Sequence, residues 1–158
     1  MYLCHTDKVN GEAIYDKQIN RKGEVLYTLN WSKLLDCDKY IINAKVPSMP
    51  GIFELLRDMG AGVIEPYYFS LSWYGGLRNN IRQKIDPELE KKLKHREILE
   101  NETCYCRYIV AESYKDMLDI VYYFAEKHFP HQLAKYGNSQ RYTEIYIKED
   151  FPEKYGHE

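Results

Sequence analysis

One stretch limits the folds open to this chain more than any other: Pro50 to Arg82, PGIFELLRDMGAGVIEPYYFSLSWYGGLRNNIR. Gly51–Leu56 is a short apolar run that starts after Pro50. Val63-Ile64 and Tyr67–Leu71 answer it. Aromatic and β-branched residues between Gly and Pro marks read as strands, and Arg57–Gly62 between them carries turn chemistry, because glycine takes positive φ without steric cost. Gly75-Gly76 then breaks the ribbon. Beyond it Leu77, Ile81 and Ile85 recur every four residues, the spacing of a helix face turned inward. Arg78 and Arg82 keep the same interval one position over, so they lie one turn apart beside the apolar stripe. Two guanidiniums next to a tyrosine-studded hairpin make a candidate phosphate site. The ordinary alternative is a solvated basic face beside a core stripe.

The chain of 158 residues suits one domain with a substantial core. Its 22 Lys and Arg nearly balance 24 Asp and Glu, so any polyanion site must come from local placement. Tyrosine is over-used, at 16 copies, which implies half-wet surfaces or a hydroxyl-rich site. Cys104 and Cys106 flank one residue of an expected strand and share a face. No CxxC or zinc-finger spacing occurs. Cys4, His5, Cys37 and the Cys104/Cys106 pair are a conceivable ligand set, with buried free thiols the commoner outcome, and no metal ligand is assigned. The first residues lack an apolar signal core, and no apolar run approaches membrane length. The expectation is a cytoplasmic protein without a membrane partner.

In order, residues 1–45 read as a β-rich extension packed on the core. Asn10-Gly11 and Arg21-Lys22-Gly23 mark turns, and Val25–Leu29 a strand. Ser32 is expected to cap a short helix through Leu35, and Lys39–Asn43 to be extended. No chemistry is evident there. Residues 46–148 form the core domain with a C-terminal strand. Asp86-Pro87-Glu88 reads as a helix start, running to about Leu99 with Leu89 and Leu93 inward. From Arg78 through Arg96, seven Lys and Arg, Lys84 and Lys91 among them, meet three Asp and Glu. Cys104–Val110 is a strand. Ser113 with Asp116 caps a helix that reaches His128 and stops before Pro130. Met117, Val121, Phe124 and His128 line one side of it. His128 and His131 suit helix-end roles more than general-base roles. Arg141–Ile147 is a last strand, and 149–158 an acidic tail. The sum is an α+β domain: a small antiparallel sheet of three central strands with N- and C-terminal additions, flanked by helices.

That order resembles the GIY-YIG nuclease family over roughly residues 45–135. Pro50-Gly51-Ile52-Phe53 is similar to its opening motif, with Phe53 at the first tyrosine. Tyr68-Phe69-Ser70 is similar to its second, with Ser70 at the glycine. Leu77–Arg82 resembles the helix carrying the family's arginine, and Arg107–Val110 with the helix to Pro130 resembles the later half. The resemblance implies phosphodiester hydrolysis, with tyrosine hydroxyls and the arginine positioning water and phosphate, and a helix glutamate holding one divalent cation. Mapped residue by residue, the arginine falls on Asn80, leaving Arg78 or Arg82 to serve. The metal glutamate falls on Val121.

The expectation is therefore a nuclease-like domain that binds DNA or RNA and cleaves weakly or not at all, with Mg²⁺ as cofactor if active. Tyr68, Arg78, Arg82 and Tyr74 are the candidate catalytic residues. Tyr67, Trp73, Lys84 and Lys91 are candidate substrate contacts, since aromatics among cations suit bases and phosphates. Two other readings remain: an active metal-dependent endonuclease using a displaced carboxylate such as Glu112, Asp119 or Glu126, and a module whose tyrosine-rich surface docks a protein partner.

Overall fold

A computed structural model describes residues 13–129 and 137–150. Cys4, His5, the Asn10-Gly11 turn, His131 and most of the acidic tail lie outside the described residues. The architecture is α+β, with four helices and two small sheets among the described residues. The strands are β1 (Tyr15–Ile19), β2 (Glu24–Leu29), β3 (Leu35–Asp36), β4 (Gly51–Gly60), β5 (Val63–Ser72), β6 (Cys104–Val110) and β7 (Glu144–Glu149). The helices are α1 (Lys39–Lys45), α2 (Gly76–Ile85), α3 (Leu93–Asn101) and α4 (Tyr114–His128).

The central sheet runs β3-β6-β4-β5 and is antiparallel throughout. Strand β4 sits inside it and is buried on both faces, which is why Gly51–Leu56 reads as an unbroken apolar run. Ile52 joins the core under α4, while Phe53 and Leu55 face α1 and α2. Gly51 has no room for a side chain, because a Cβ there would lie 2.1 Å from the Ile109 carbonyl oxygen. The hairpin turns on Ala61 and Gly62, both at positive φ, as primed two-residue turns require. Of the N- and C-terminal additions, only the two-residue β3 widens this sheet, at its β6 edge. The others build a second one, β1-β2-β7, in which β7 runs parallel to β2.

One apolar cluster joins β2, the near face of the central sheet and α4, through Tyr27, Ile52, Phe69, Ile109, Val121 and Phe124. A second joins the far face to α1 and α2, through Ile42, Phe53, Leu55, Leu77, Ile81 and Ile85. The Leu77/Ile81/Ile85 stripe is buried, as its spacing predicts. Helix α4 spans Tyr114–His128 with Ser113 as its N-cap, accepting from the Asp116 amide. His128 lies exposed at its end.

Three local expectations are corrected. Lys39–Asn43 is helical, because the Asp38 carboxylate accepts from the Tyr40 and Ile41 amides and nucleates α1. Residues 31–34 are not helical; Ser32 instead accepts from the Tyr108 amide and donates to the Lys33 carbonyl. The helix expected from Pro87 is a turn, closed by Asp86 accepting from the Glu88, Leu89 and Glu90 amides. Helix α3 begins only at Leu93, and Leu89 and Leu93 are 57% and 63% exposed.

Candidate functional site

The expected hydroxyl-lined site is partly assembled, on the face of the central sheet that carries α2 and α3. A register shift in β5 creates it. Leu55 pairs with Tyr68 but Leu56 pairs with Pro66, so Tyr67 is the extra residue of a bulge. The bulge turns Tyr67 and Tyr68 to the same side, where both pack against the second apolar cluster. Regular alternation would have sent them to opposite faces.

Three expected residues meet here. The Tyr68 ring lies 5.9 Å from Phe53, the residue at the family's first tyrosine, and the Lys84 ammonium sits 4.1 Å over its face. Lys84 is also paired to Glu90 at 2.6 Å. His95 on α3 completes the corner with ring distances of 5.2 Å to Tyr67 and 5.7 Å to Tyr68. Glu90 and His95 are not evident from sequence. The cue is the density of charge in the basic span, but a turn rather than a helix sets their direction. The Glu90 carbonyl holds the Arg96 guanidinium, which fixes that turn beneath α3.

The electrostatics set each group's state. Burial lowers His95 to about 4, and the nearby Lys84 ammonium works the same way, so the ring is neutral near pH 7. Its Nδ1 atom is buried with no hydrogen-bond partner. Burial, with the Cys37 and Cys104 thiols close by, raises the Tyr67 hydroxyl well above the usual tyrosine range. The Cys104 thiol is the polar group nearest in effect, a weak partner at best, and the buried hydroxyl makes no hydrogen bond to an oxygen or nitrogen. Burial acts against the charged form of Glu90, but Lys84 and the Lys92 amide outweigh it and hold the carboxyl below its ordinary range.

The other candidates lie elsewhere. The Arg78 side chain donates from Nε to the Val46 carbonyl at 2.8 Å and so ties α2 to the end of α1. Asn80, at the family's arginine position, donates to the Tyr74 carbonyl. Arg82 and Lys91 are exposed, and Tyr74 is 86% exposed. Trp73 turns to the α4 side and meets the Tyr114 ring edge-on at 5.4 Å.

The one carboxylate described in this corner, Glu90, is engaged by Lys84 and the Lys92 amide, and the position matched to the metal glutamate holds Val121. Val121 is fully buried in the apolar core under α4. Asp119 is committed to Tyr27, Ser139 and Arg141. Among the described residues, no group of three or more His, Cys, Asp or Glu is placed to hold a metal ion. The described residues do not fit the cation that the GIY-YIG resemblance implies. Nor is any helix among them long and apolar enough to cross a membrane.

A family model described as "Uncharacterised protein" matches residues 14–157. The chain belongs to that family. No curated protein and no solved structure matches it.

Two carboxylates of α4, Asp116 and Asp119, anchor a second polar centre, on the opposite side of the sheet. Asp116 accepts from Tyr15, Tyr27, Lys17 and Arg141, and Asp119 from Tyr27, Arg141 and Ser139. Burial opposes the charge on Asp116, but the Tyr15 hydroxyl, Arg141 and Lys17 outweigh it and keep the group below its ordinary range. Two acids meet two bases there, so the cluster is neutral overall. A third centre lies between the sheets. Arg107 donates from Nε to Glu54 at 2.7 Å and from Nη2 to Glu149 at 3.1 Å, with its guanidinium 4.3 Å over the Trp31 ring. Burial, opposed by Arg107, lifts Glu54 to about 7.

Proposed function

We propose that this protein is a nuclease-like domain that binds the phosphate backbone of DNA or RNA along its α2–α3 side and cleaves it weakly or not at all. One observation carries the reading: the exposed charge of the span from Arg78 to Arg96. Arg82, Lys91, Lys92 and Lys94 are exposed, against Glu88 alone among the span's acids. Glu90 is buried on Lys84, and the Arg78 and Arg96 guanidiniums are spent on backbone carbonyls. The exposed part of the span thus keeps most of its basic surplus, four cations against one acid, and exposed cations supply the counterion-release term of backbone binding. The β4-β5 hairpin, followed through the chain by two helices, the strand β6 beside β4 and a long helix, supports the likeness to the nuclease fold. The buried Val121 supports loss of cleavage, because without a carboxylate a divalent cation has no protein ligand there.

The test is a gel shift with random single-stranded and duplex oligonucleotides across a salt series. Binding should weaken steeply with salt. Replacing Lys91, Lys92 and Lys94 with alanine should flatten the log–log slope by about 0.7–0.9 for each phosphate that is no longer neutralised. Absence of any shift at low salt rejects the reading. Cutting of plasmid DNA in Mg²⁺ or Mn²⁺ would reject the inactive half of it and favour a rearranged active site.

A further inference from the structure

A cleft of about 950 Å³ opens where the two sheets meet at the start of α4. It shares no lining residue with the Tyr67–His95 corner. Ile14, Pro47, Met49, Val110 and Ala111 give it an apolar wall, and Tyr15, Lys17 and Asp116 a polar end. Its size matches pockets that enclose small organic ligands, and a few convergent polar groups in an apolar cavity are the usual makeup of such pockets.

The charges at its border narrow the ligand. Asp116 is an acid in name only from the cleft's side. Four donors already engage it, with Arg141 sharing it alongside Lys17. Its charge and that of Asp119 are matched by those two bases. Two charged groups on the border remain. Lys45 is exposed with no acid partner among the described residues, and Glu112 stands exposed just before the α4 cap. The Tyr108 hydroxyl donates to the Lys45 carbonyl at 3.3 Å, pinning the last turn of α1 at the rim. Lys17 has N–H groups beyond the one it gives Asp116. Helix α4 starts at the same place, adding the partial positive charge of its first amides. The full charges at the mouth therefore balance, and the spare Lys17 N–H groups and the first amides of α4 add donors and partial positive charge on top of them.

We propose that this cleft binds a small amphipathic organic anion: a hydrocarbon or aromatic body against Ile14, Met49 and Val110, and an acidic head at Lys45 and Lys17. The site is independent of polyanion binding on α2–α3. Its occupant is a compact molecule, recognised by apolar burial first and by charge second.

Two fluorescent probes of nearly one shape separate these contributions. Anilinonaphthalene sulfonate carries an anionic head, and N-phenylnaphthylamine lacks it. On the native chain, with near-ultraviolet circular dichroism confirming intact packing, both should bind saturably at one site, the sulfonate more tightly. Lys45→Gln should weaken the sulfonate about threefold, the scale of an exposed charge pair, and leave the neutral probe unchanged. Val110→Phe should fill the cleft and remove both. Met49→Trp, at the exposed rim, does the same should Val110→Phe fail to fold. Competition by decanoate should displace either probe. Failure of both probes to saturate overturns the proposal. So does binding that survives both filling variants. Equal affinity for the two probes with no effect of Lys45→Gln overturns the anionic assignment.

Discussion

The two faces of the central sheet hide their polar groups differently. On the side of α4, the buried charges are all paired: Glu54 with Arg107, Asp116 with Lys17 and Arg141, and Asp119 with Arg141. On the side of α2 and α3, the ion pair of Lys84 and Glu90 is also made, but two neutral groups beside it are not satisfied, the Tyr67 hydroxyl and His95 Nδ1. A buried charge without a partner costs several kcal/mol, so none is left. A buried neutral group costs about 1–3 kcal/mol, which a fold can carry where a hydrogen bond is to be made later. The first side pairs its buried charges throughout and, among the described residues, leaves only the Asn30 side-chain amide at the end of β2 without a partner. The second keeps unused hydrogen-bonding capacity under a basic surface.

The harshest test of the finished side is Arg107→Ala. It strands Glu54 and Glu149 and should cost about 3–5 kcal/mol in urea unfolding. A loss below about 1 kcal/mol would mean that water already reaches this centre. The next effect is in pH. Glu54 is raised to about 7 from an ordinary 4.5, so the native state binds the extra proton in that window. Stability therefore falls as pH rises from about 4.5 through 7, by about 3 kcal/mol if this group acts alone. Glu54→Gln should flatten the profile of unfolding free energy against pH over that range, and an unchanged slope would assign the titration elsewhere. A matched pair of hydroxyl deletions then compares the faces directly. Tyr27→Phe removes a hydroxyl bonded to Asp119 at 2.8 Å and should cost about 1–3 kcal/mol. Tyr67→Phe removes an unpartnered one and should be neutral or stabilising by up to about 1 kcal/mol. Equal losses would erase the contrast. The smallest change in stability belongs to Lys91, Lys92 and Lys94 replaced together by alanine. Thermal unfolding should move by no more than about 0.5 kcal/mol per site, while oligonucleotide binding falls.

The sequence reveals these regions unequally, for physical reasons. The hairpin, the α2 stripe and the capped α4 helix are legible because each is specified locally, by turn glycines, a four-residue repeat and a Ser113 cap. α1 reads as extended because Ile41-Ile42 favours strands, while the decisive contact is the Asp38 side chain on two amides. The exposure of Leu89 and Leu93 follows from a turn that a helix-like pattern conceals. Within the candidate site, Tyr68 follows from the motif and Tyr67 and Lys84 from aromatics set near a basic span, but their convergence depends on a bulge that periodicity does not encode. His95 is hidden because α3 starts six residues later than the Asp86-Pro87 signal implies. The α4 carboxylates read as ordinary helix-surface charge. Their partners come from strands and a loop 20 to 101 residues away, beyond any local pattern.

The parallel pairing of Glu24–Leu29 with Glu144–Glu149 has a consequence for the order of assembly. Contacts between distant positions form slowly, because a long loop must close before any of them is rewarded. During synthesis the outer ribbon of β1 and β2 waits for β3 to β6 and all four described helices before its third member arrives. Until then Trp31 and the Arg107 guanidinium lack the Glu149 carboxylate that joins them, so the nascent protein should be most vulnerable to proteases and misassociation just before its last strand docks.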